Sequence, residues 1–187
     1  MYSPSEDSFF FIDFLKKFFH EINKKEREKI KVLDMGSGTG ILAETCSFFV
    51  PKENILCVDV QEESVNLLKR KGFNAIKSDL FEKVNIKEKF DLITFNAPYL
   101  PLDKKEPKDS RIETTGGKRG DEISLRFLRE AFNYLTKNGK IFLLVSSLTP
   151  LDRIKKFNFF IVARKKIPFE ELLILKFENE KSKKSLE

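Results

Sequence analysis

The chain has 187 residues, 41% hydrophobic and 34% charged, which suits one folded domain with a substantial core and a densely charged surface. No apolar run approaches the roughly 20 residues of a membrane span, and the segment after Met1 is polar and acidic before it becomes apolar, unlike a secretory leader. A net charge of +6 admits an anionic partner such as nucleic acid, but Lys and Arg are scattered over most helical stretches and select none.

The N-terminal segment opens on Ser3-Pro4-Ser5-Glu6, a capping box with proline at the first helical position. Phe11, Ile12, Leu15, Phe18, Phe19 and Ile22 then recur at helical spacing, predicting a helix with one face on a sheet and His20 as a structural or solvated residue. Residues 23–29 read as a polar linker. A buried strand over 31–35 leads into a glycine-rich turn, Gly36-Ser37-Gly38-Thr39-Gly40, and a helix over 41–48. A second strand over 54–59 ends in Asp59, a helix over 62–71 follows, and a third strand over 74–77 runs into Ser78-Asp79-Leu80. Cys46 and Cys57 fall in this helix–strand region without metal spacing, as reduced core residues of a cytoplasmic protein. The apolar run 90–95 ends in Asn96-Ala97-Pro98-Tyr99.

Residues 102–120, with Pro107, Gly116, Gly117 and Gly120, form a long polar segment beside that tetrapeptide and read as a substrate-facing lid. A helix over 121–137 turns Leu125, Leu128, Phe132 and Leu135 inward and stops at Asn138-Gly139. A strand over 140–145, a short helix over 151–156 and two strands over 159–163 and 171–177 complete the chain, the last two as an antiparallel hairpin turning at Pro168. Alternating strands and helices imply an α/β fold with a mostly parallel sheet. One domain over 1–178 and a polar tail over 179–187 are expected.

The tetrapeptide carries the chemistry. The Asn96 side-chain oxygen and the Ala97 carbonyl can accept both hydrogens of a planar NH2 group, Tyr99 can stack on its plane, and Pro98 holds Ala97 extended. Amide and aromatic-amine nitrogens are poor nucleophiles, so such a clamp would hold one in line with an electrophile and stabilise its developing charge. Upstream, the third glycine of the turn is Gly40, and Ile41 stands where a dinucleotide fold needs glycine. A G-x-G-x-G turn preceded by Asp34 resembles the S-adenosylmethionine (SAM) loop of class I methyltransferases. Asp59 lies where a ribose diol would be met, and Asp79 where an acid could accept from the adenine amine. Each signal has a plainer reading: an ordinary strand–helix turn, a helix N-cap at Asp59, a loop acid at Asp79. Their agreement in order, each closing a successive strand-like run, favours SAM binding.

Tyr2-Ser3-Pro4-Ser5-Glu6-Asp7-Ser8, the 34–40 loop, Asp59, Asp79 and Asn96-Ala97-Pro98-Tyr99 together resemble the HemK-type protein glutamine N5-methyltransferases, and within them the short archaeal and eukaryotic branch. The likeness runs to about Phe177. It implies a Rossmann-like class I methyltransferase sheet of seven strands with an antiparallel C-terminal hairpin. It implies SAM as cofactor, held by Ser8, Asp34, Gly36, Ser37, Gly38, Gly40, Asp59, Val60, Asp79, Leu80 and Asn96. As partners it implies a class I translation release factor, methylated on the glutamine of its Gly-Gly-Gln loop, and a small zinc-binding activator subunit along an exposed strand edge. The family clamp is usually Asn-Pro-Pro-Tyr; Ala97 replaces one proline at a position that contributes only a carbonyl.

A nucleic-acid methyltransferase acting on adenine N6 or guanine N2 could use the same clamp, although the chain lacks a separate target-recognition domain. A non-catalytic SAM-binding scaffold leaves the intact clamp unexplained. A nicotinamide oxidoreductase is disfavoured by Ile41.

Overall fold

The computed structural model describes residues 6–102 and 114–179. Ser3, Pro4 and Ser5 of the expected capping box, Pro107 with most of the expected lid, and the tail from 180 onward lie outside these. Strands β1 (Val32–Met35), β2 (Ile55–Asp59), β3 (Asn74–Lys77) and β4 (Phe90–Asn96) form the first half of the main sheet. Two short strands, β5 (Leu100–Pro101) and β6 (Thr115–Gly117), pair with each other beside it, and β7 (Leu135–Ser146), β8 (Phe160–Ile167) and β9 (Glu170–Glu178) complete it.

The seven main strands run in the order β3-β2-β1-β4-β7-β9-β8. Pairings from β3 to β7 are parallel, whereas β9 lies antiparallel to both β7 and β8. The expected C-terminal hairpin therefore closes the sheet. Parallel strands need helical crossovers, which cover both faces, and so β1 and β2 are buried along their whole length.

Helices α1 (Glu6–His20), α3 (Ile41–Ser47) and α4 (Glu62–Arg70) cover one face, and α5 (Glu122–Ala131) helps cover the other. Alternate residues of each strand serve the two cores: Phe142 and Leu144 of β7 join Phe11, Leu15 and Phe19 of α1, while Ile141, Leu143 and Val145 join Leu125 and Leu128 of α5. Phe142 is 1% exposed, and its ring meets Phe14 and Phe18 edge-on at 4.8 and 5.0 Å. These contacts seat α1 on the sheet.

Several elements differ from the expectations. The linker contains a short helix, α2 (Lys24–Arg27), because the Asn23 side chain accepts a bond from the Glu26 N–H at 3.0 Å. The helix expected over 121–137 ends at Ala131, and Leu135 already pairs with Phe90. Thr136 Oγ1 donates to Asp91 Oδ1 at 2.8 Å, and Gly139 sits so close to β4 that an added Cβ would lie 2.8 Å from the Phe90 carbonyl. Asn138-Gly139 thus belongs to an irregular start of β7 and is no helix cap. Part of the expected lid is β6, and the expected helix over 151–156 is a 3-10 turn at Ile154–Phe157. Cys46 and Cys57 are buried free thiols, and His20 is exposed with its ring edge-on to Phe49 at 5.2 Å.

Phe142→Ala should cost about 3–5 kcal/mol in urea unfolding, the range for deleting a buried aromatic ring. A loss below about 1 kcal/mol would show that α1 is not seated on this side chain.

Candidate active site

β2 and β3 lie to one side of β1 and β4 to the other, so the crossovers diverge at β1 and open a crevice beyond the carboxyl ends of these strands. Parallel register sets Asp34 opposite Thr94 and Met35 opposite Phe95. The glycine turn leaves β1 at Met35. At Gly36, φ is +60°, and an added Cβ would lie 2.9 Å from the Phe95 ring, so the turn hugs β4 as only glycine allows. Gly38 N–H donates to Asp59 Oδ2 at 2.7 Å, and Asp59 Oδ1 accepts from the Gln61 N–H at 2.8 Å. Asp59 therefore ties the turn to the end of β2, while the N-cap of α4 is Gln61.

A cavity of about 480 Å³ opens at this edge. Its wall brings together Ser8, Asp34, Gly36, Ser37, Gly38, Asp59, Val60, Asp79, Leu80 and the whole Asn96-Ala97-Pro98-Tyr99 clamp. Gly40 stands apart from that wall. It precedes α3 at φ +88°, and a Cβ there would sit 2.6 Å from Leu68 Cδ2, so this glycine packs the turn onto α4.

Among the described residues, two buried oxygens of cavity-lining residues lack a hydrogen-bond partner, Asp34 Oδ2 and Asn96 Oδ1. The other Asp34 oxygen accepts from Thr94 Oγ1 at 2.8 Å. Burial raises the Asp34 carboxyl to about 7, against the lowering effect of the Thr94 bond. Asn96 Nδ2 donates to Ser8 Oγ at 3.4 Å, and both residues line the cavity. Ser8 is 2% exposed, so α1 contributes a fixed support to the clamp.

Sequence reasoning missed the far wall. Arg126 and Ile123 of α5 reach the cavity, and Arg126 Nη2 meets Asp79 Oδ2 at 2.9 Å. Asp79 is thus half of an ion pair half open to solvent, and a ligand amine there must share it with Arg126. Helical spacing marks Leu125 and Leu128 as core positions and says nothing of Arg126; only the folded position of α5 brings it to the cavity. Leu80 beside it has φ +49°, a strained conformation for a branched residue, at the same end of the cavity.

Orphaned acceptors, a carboxylate at the end of β2 and a glycine-cradled turn match what a cationic nucleoside cofactor needs. With this strand order they define a class I S-adenosylmethionine-dependent methyltransferase. Residues 12–170 match the methyltransferase small domain model, and the chain belongs to that family. Its cofactor is S-adenosyl-L-methionine. A putative protein N5-glutamine methyltransferase of Methanocaldococcus jannaschii is 38% identical over 189 residues, spanning 94% of this chain and 90% of that protein. Methyltransferase HEMK2 of Homo sapiens is 27% identical over 76% of this chain and 70% of its own length. Among solved structures, the E. cuniculi Mtq2–Trm112 complex, responsible for methylating the eRF1 translation termination factor, matches with a TM-score of 0.72 and 25% identity, covering 96% of this chain and 98% of that one. Among the described residues, no helix is long and apolar enough to cross a membrane.

Asp34 gives a pH signature. Its folded value, about 7, lies above the unfolded 3.8, so the fold favours the neutral acid. That stabilisation is complete below pH about 4 and is lost as pH rises through about 7. Without cofactor, Asp34→Asn should therefore gain stability relative to the parent between pH 4 and 7 and hold a constant advantage above about 7.5. Urea unfolding across that range checks it; a difference that does not change with pH would contradict the assignment.

Proposed function

We propose that the protein methylates the side-chain amide nitrogen of a glutamine, in the Gly-Gly-Gln loop of a class I translation release factor. The observation that carries this reading is Asn96 Oδ1, a buried acceptor without a partner among the described residues, on a residue that lines the cavity with Ala97 and Tyr99. An acceptor pair and an aromatic face suit the two hydrogens and the plane of a carboxamide. The similarity to proteins named for glutamine methylation supports the same substrate class.

SAM supplies a methyl group on sulfonium; transfer to nitrogen breaks the carbon–sulfur bond and leaves neutral S-adenosylhomocysteine. Within this reading, Asp34 and the 36–38 turn would hold the cofactor's methionine part, Asp59 and Val60 its ribose, and Asp79 and Leu80 its adenine. Asn96 Oδ1 and the Ala97 carbonyl orient the amide lone pair at the methyl carbon and stabilise the positive charge that nitrogen gains. Tyr99 covers the amide plane. The amide proton departs after charge has appeared, so a weak acceptor such as water suffices. Ser8 lines the cavity with the cofactor residues and would also support Asn96 through its 3.4 Å contact.

A small zinc-binding activator belongs to this proposal as well, since the eRF1-methylating neighbour is a complex with Trm112. It would add to β3 or β8, the two edges of the main sheet.

The test uses purified protein, radiolabelled SAM, a class I release factor and total nucleic acid, with and without such a subunit. Label on the release factor, lost when its loop glutamine is replaced, is the expected result; label on nucleic acid alone would replace the amide with a base amine. Asn96→Ala should keep SAM affinity while methylation drops by at least about a hundredfold, the scale of one oriented electrostatic contact. Near-normal turnover would sink the clamp assignment. Asp59→Ala should weaken SAM binding in calorimetry; unchanged affinity would move the ribose contact elsewhere.

A further inference from the structure

Asn96 is the last residue of β4 and pairs with Leu144, but Ala97-Pro98-Tyr99 leave the sheet there, so something other than pairing in the main sheet must hold that part of the clamp. Two segments distant in sequence lie against its back. The first is 116–120. A Cβ at Gly116 would lie 2.6 Å from the Pro98 carbonyl oxygen and closer still to that of Gly120, and one at Gly120 would lie 2.5 Å from the Tyr99 carbonyl oxygen. Gly120 has φ +89°, so any side chain there is both clashing and strained. Leu102 N–H donates to the Gly117 carbonyl at 2.9 Å, which continues the short β5–β6 pairing past the clamp. The second segment follows β7. Thr149 Oγ1 donates to the Tyr99 carbonyl at 3.3 Å and accepts from the Ser146 N–H at 3.3 Å.

What joins the two segments is a cluster of ion pairs with Asp121–Arg153 at its centre. Asp121, next to Gly120, is 0% exposed. Arg153, four residues beyond Thr149, grips it with two nitrogens: Nε donates to Oδ2 at 2.7 Å and Nη2 to Oδ1. Arg153 also lies 3.5 Å from Glu122, whose carboxylate accepts from the Arg119 N–H, and Arg119 reaches Asp152 at 3.2 Å. The contacts close a ring: clamp, glycine turn, Asp121, Arg153, Thr149 and back to Tyr99. A planar guanidinium held at two points fixes orientation as well as distance, which a lysine ammonium would not.

We infer that the Asp121–Arg153 pair is a positioning device for the acceptor half of the site, setting the Tyr99 ring and the neighbouring Ala97 carbonyl where the acceptor amide must lie. It rests on the clamp reading above, touches neither the cofactor wall nor the reacting atoms, and adds Arg153, Asp121 and Thr149 to the residues on which the reaction depends. A misplacement of about 1 Å in such a clamp can cost a hundredfold in rate. The structural alternative is that the pair only stabilises the fold.

The experiment compares Arg153→Met and Arg153→Lys with the parent protein. Arg153→Met should bind SAM within about twofold of the parent, because neither Arg153 nor Asp121 lines the cavity. Its kcat/KM for the acceptor should fall roughly ten- to a hundredfold, and Arg153→Lys should recover only part of that loss. The acceptor is whichever substrate the parent methylates, so failure on a release factor would remove the substrate reading and leave the comparison standing. A second readout needs no substrate. Tyr99 lies in the ring and Tyr134 stacks on Phe81 in the core, so with 3-fluorotyrosine incorporated the Tyr99 fluorine resonance should shift or broaden in Arg153→Met while that of Tyr134 stays. Parent-like acceptor kinetics with an unmoved Tyr99 resonance overturn the proposal. So does a parallel loss of SAM affinity, acceptor turnover and thermal stability, which is the signature of a purely structural pair.

Discussion

The hydrogen bond from Thr94 Oγ1 to Asp34 Oδ1, 2.8 Å long, joins the two strands from which the site is built. It crosses from β4 to β1 where parallel register sets these residues side by side. One residue past Asp34 and Met35 the chain turns into glycines; two residues past Thr94 it reaches Asn96. A slip of one residue between β1 and β4 would turn Asp34 or Thr94 to the opposite face and pull turn and clamp out of step. The bond also satisfies one carboxylate oxygen and leaves the other bare. Asp34 is thus both strand cross-link and unfinished ligand site.

Leaving polar atoms buried without partners is expensive, by roughly 1–3 kcal/mol per group and more when charged. The cavity wall carries two, Asp34 Oδ2 and Asn96 Oδ1. For Asp34 the fold relieves the cost by holding the acid neutral up to about pH 7. For Asn96, a neutral amide, no such relief exists. Its nitrogen is anchored on Ser8 of a helix packed through Phe14 and Phe18 onto the sheet, so the side chain cannot simply rotate to find a partner. A group pinned in a costly orientation is one prepared for an incoming donor. A planar amide carries the donors that the carbonyl oxygen lacks.

What could be read in advance was whatever the sequence states locally. Strands β1, β2 and β4 are apolar runs ended by polar or glycine residues, and α3 and α4 lie within a residue of their expected bounds. The cavity residues at the carboxyl ends of β1 to β4 followed from the order of those runs. Asn138-Gly139 misled because the pair is a turn signal in isolation, yet here Gly139 is the residue that lets β7 press on the Phe90 carbonyl. Arg126 was invisible because what places it is the docking of α5 over Asp79, 47 residues earlier. Contacts of this range leave no periodic trace.

The two halves of the site therefore differ in how they are held. The cofactor wall is formed by strand ends and by a turn tied to the adjacent strand through Asp59, so its geometry follows from the sheet itself. The wall proposed for the acceptor is formed by Asn96 at the end of β4 and by chain that leaves the sheet after it, backed by a glycine turn and a post-β7 segment held together by charge. Changes confined to 114–120 or 147–153 can thus alter how an acceptor is presented while Asp34, Asp59 and the glycine turn keep their places.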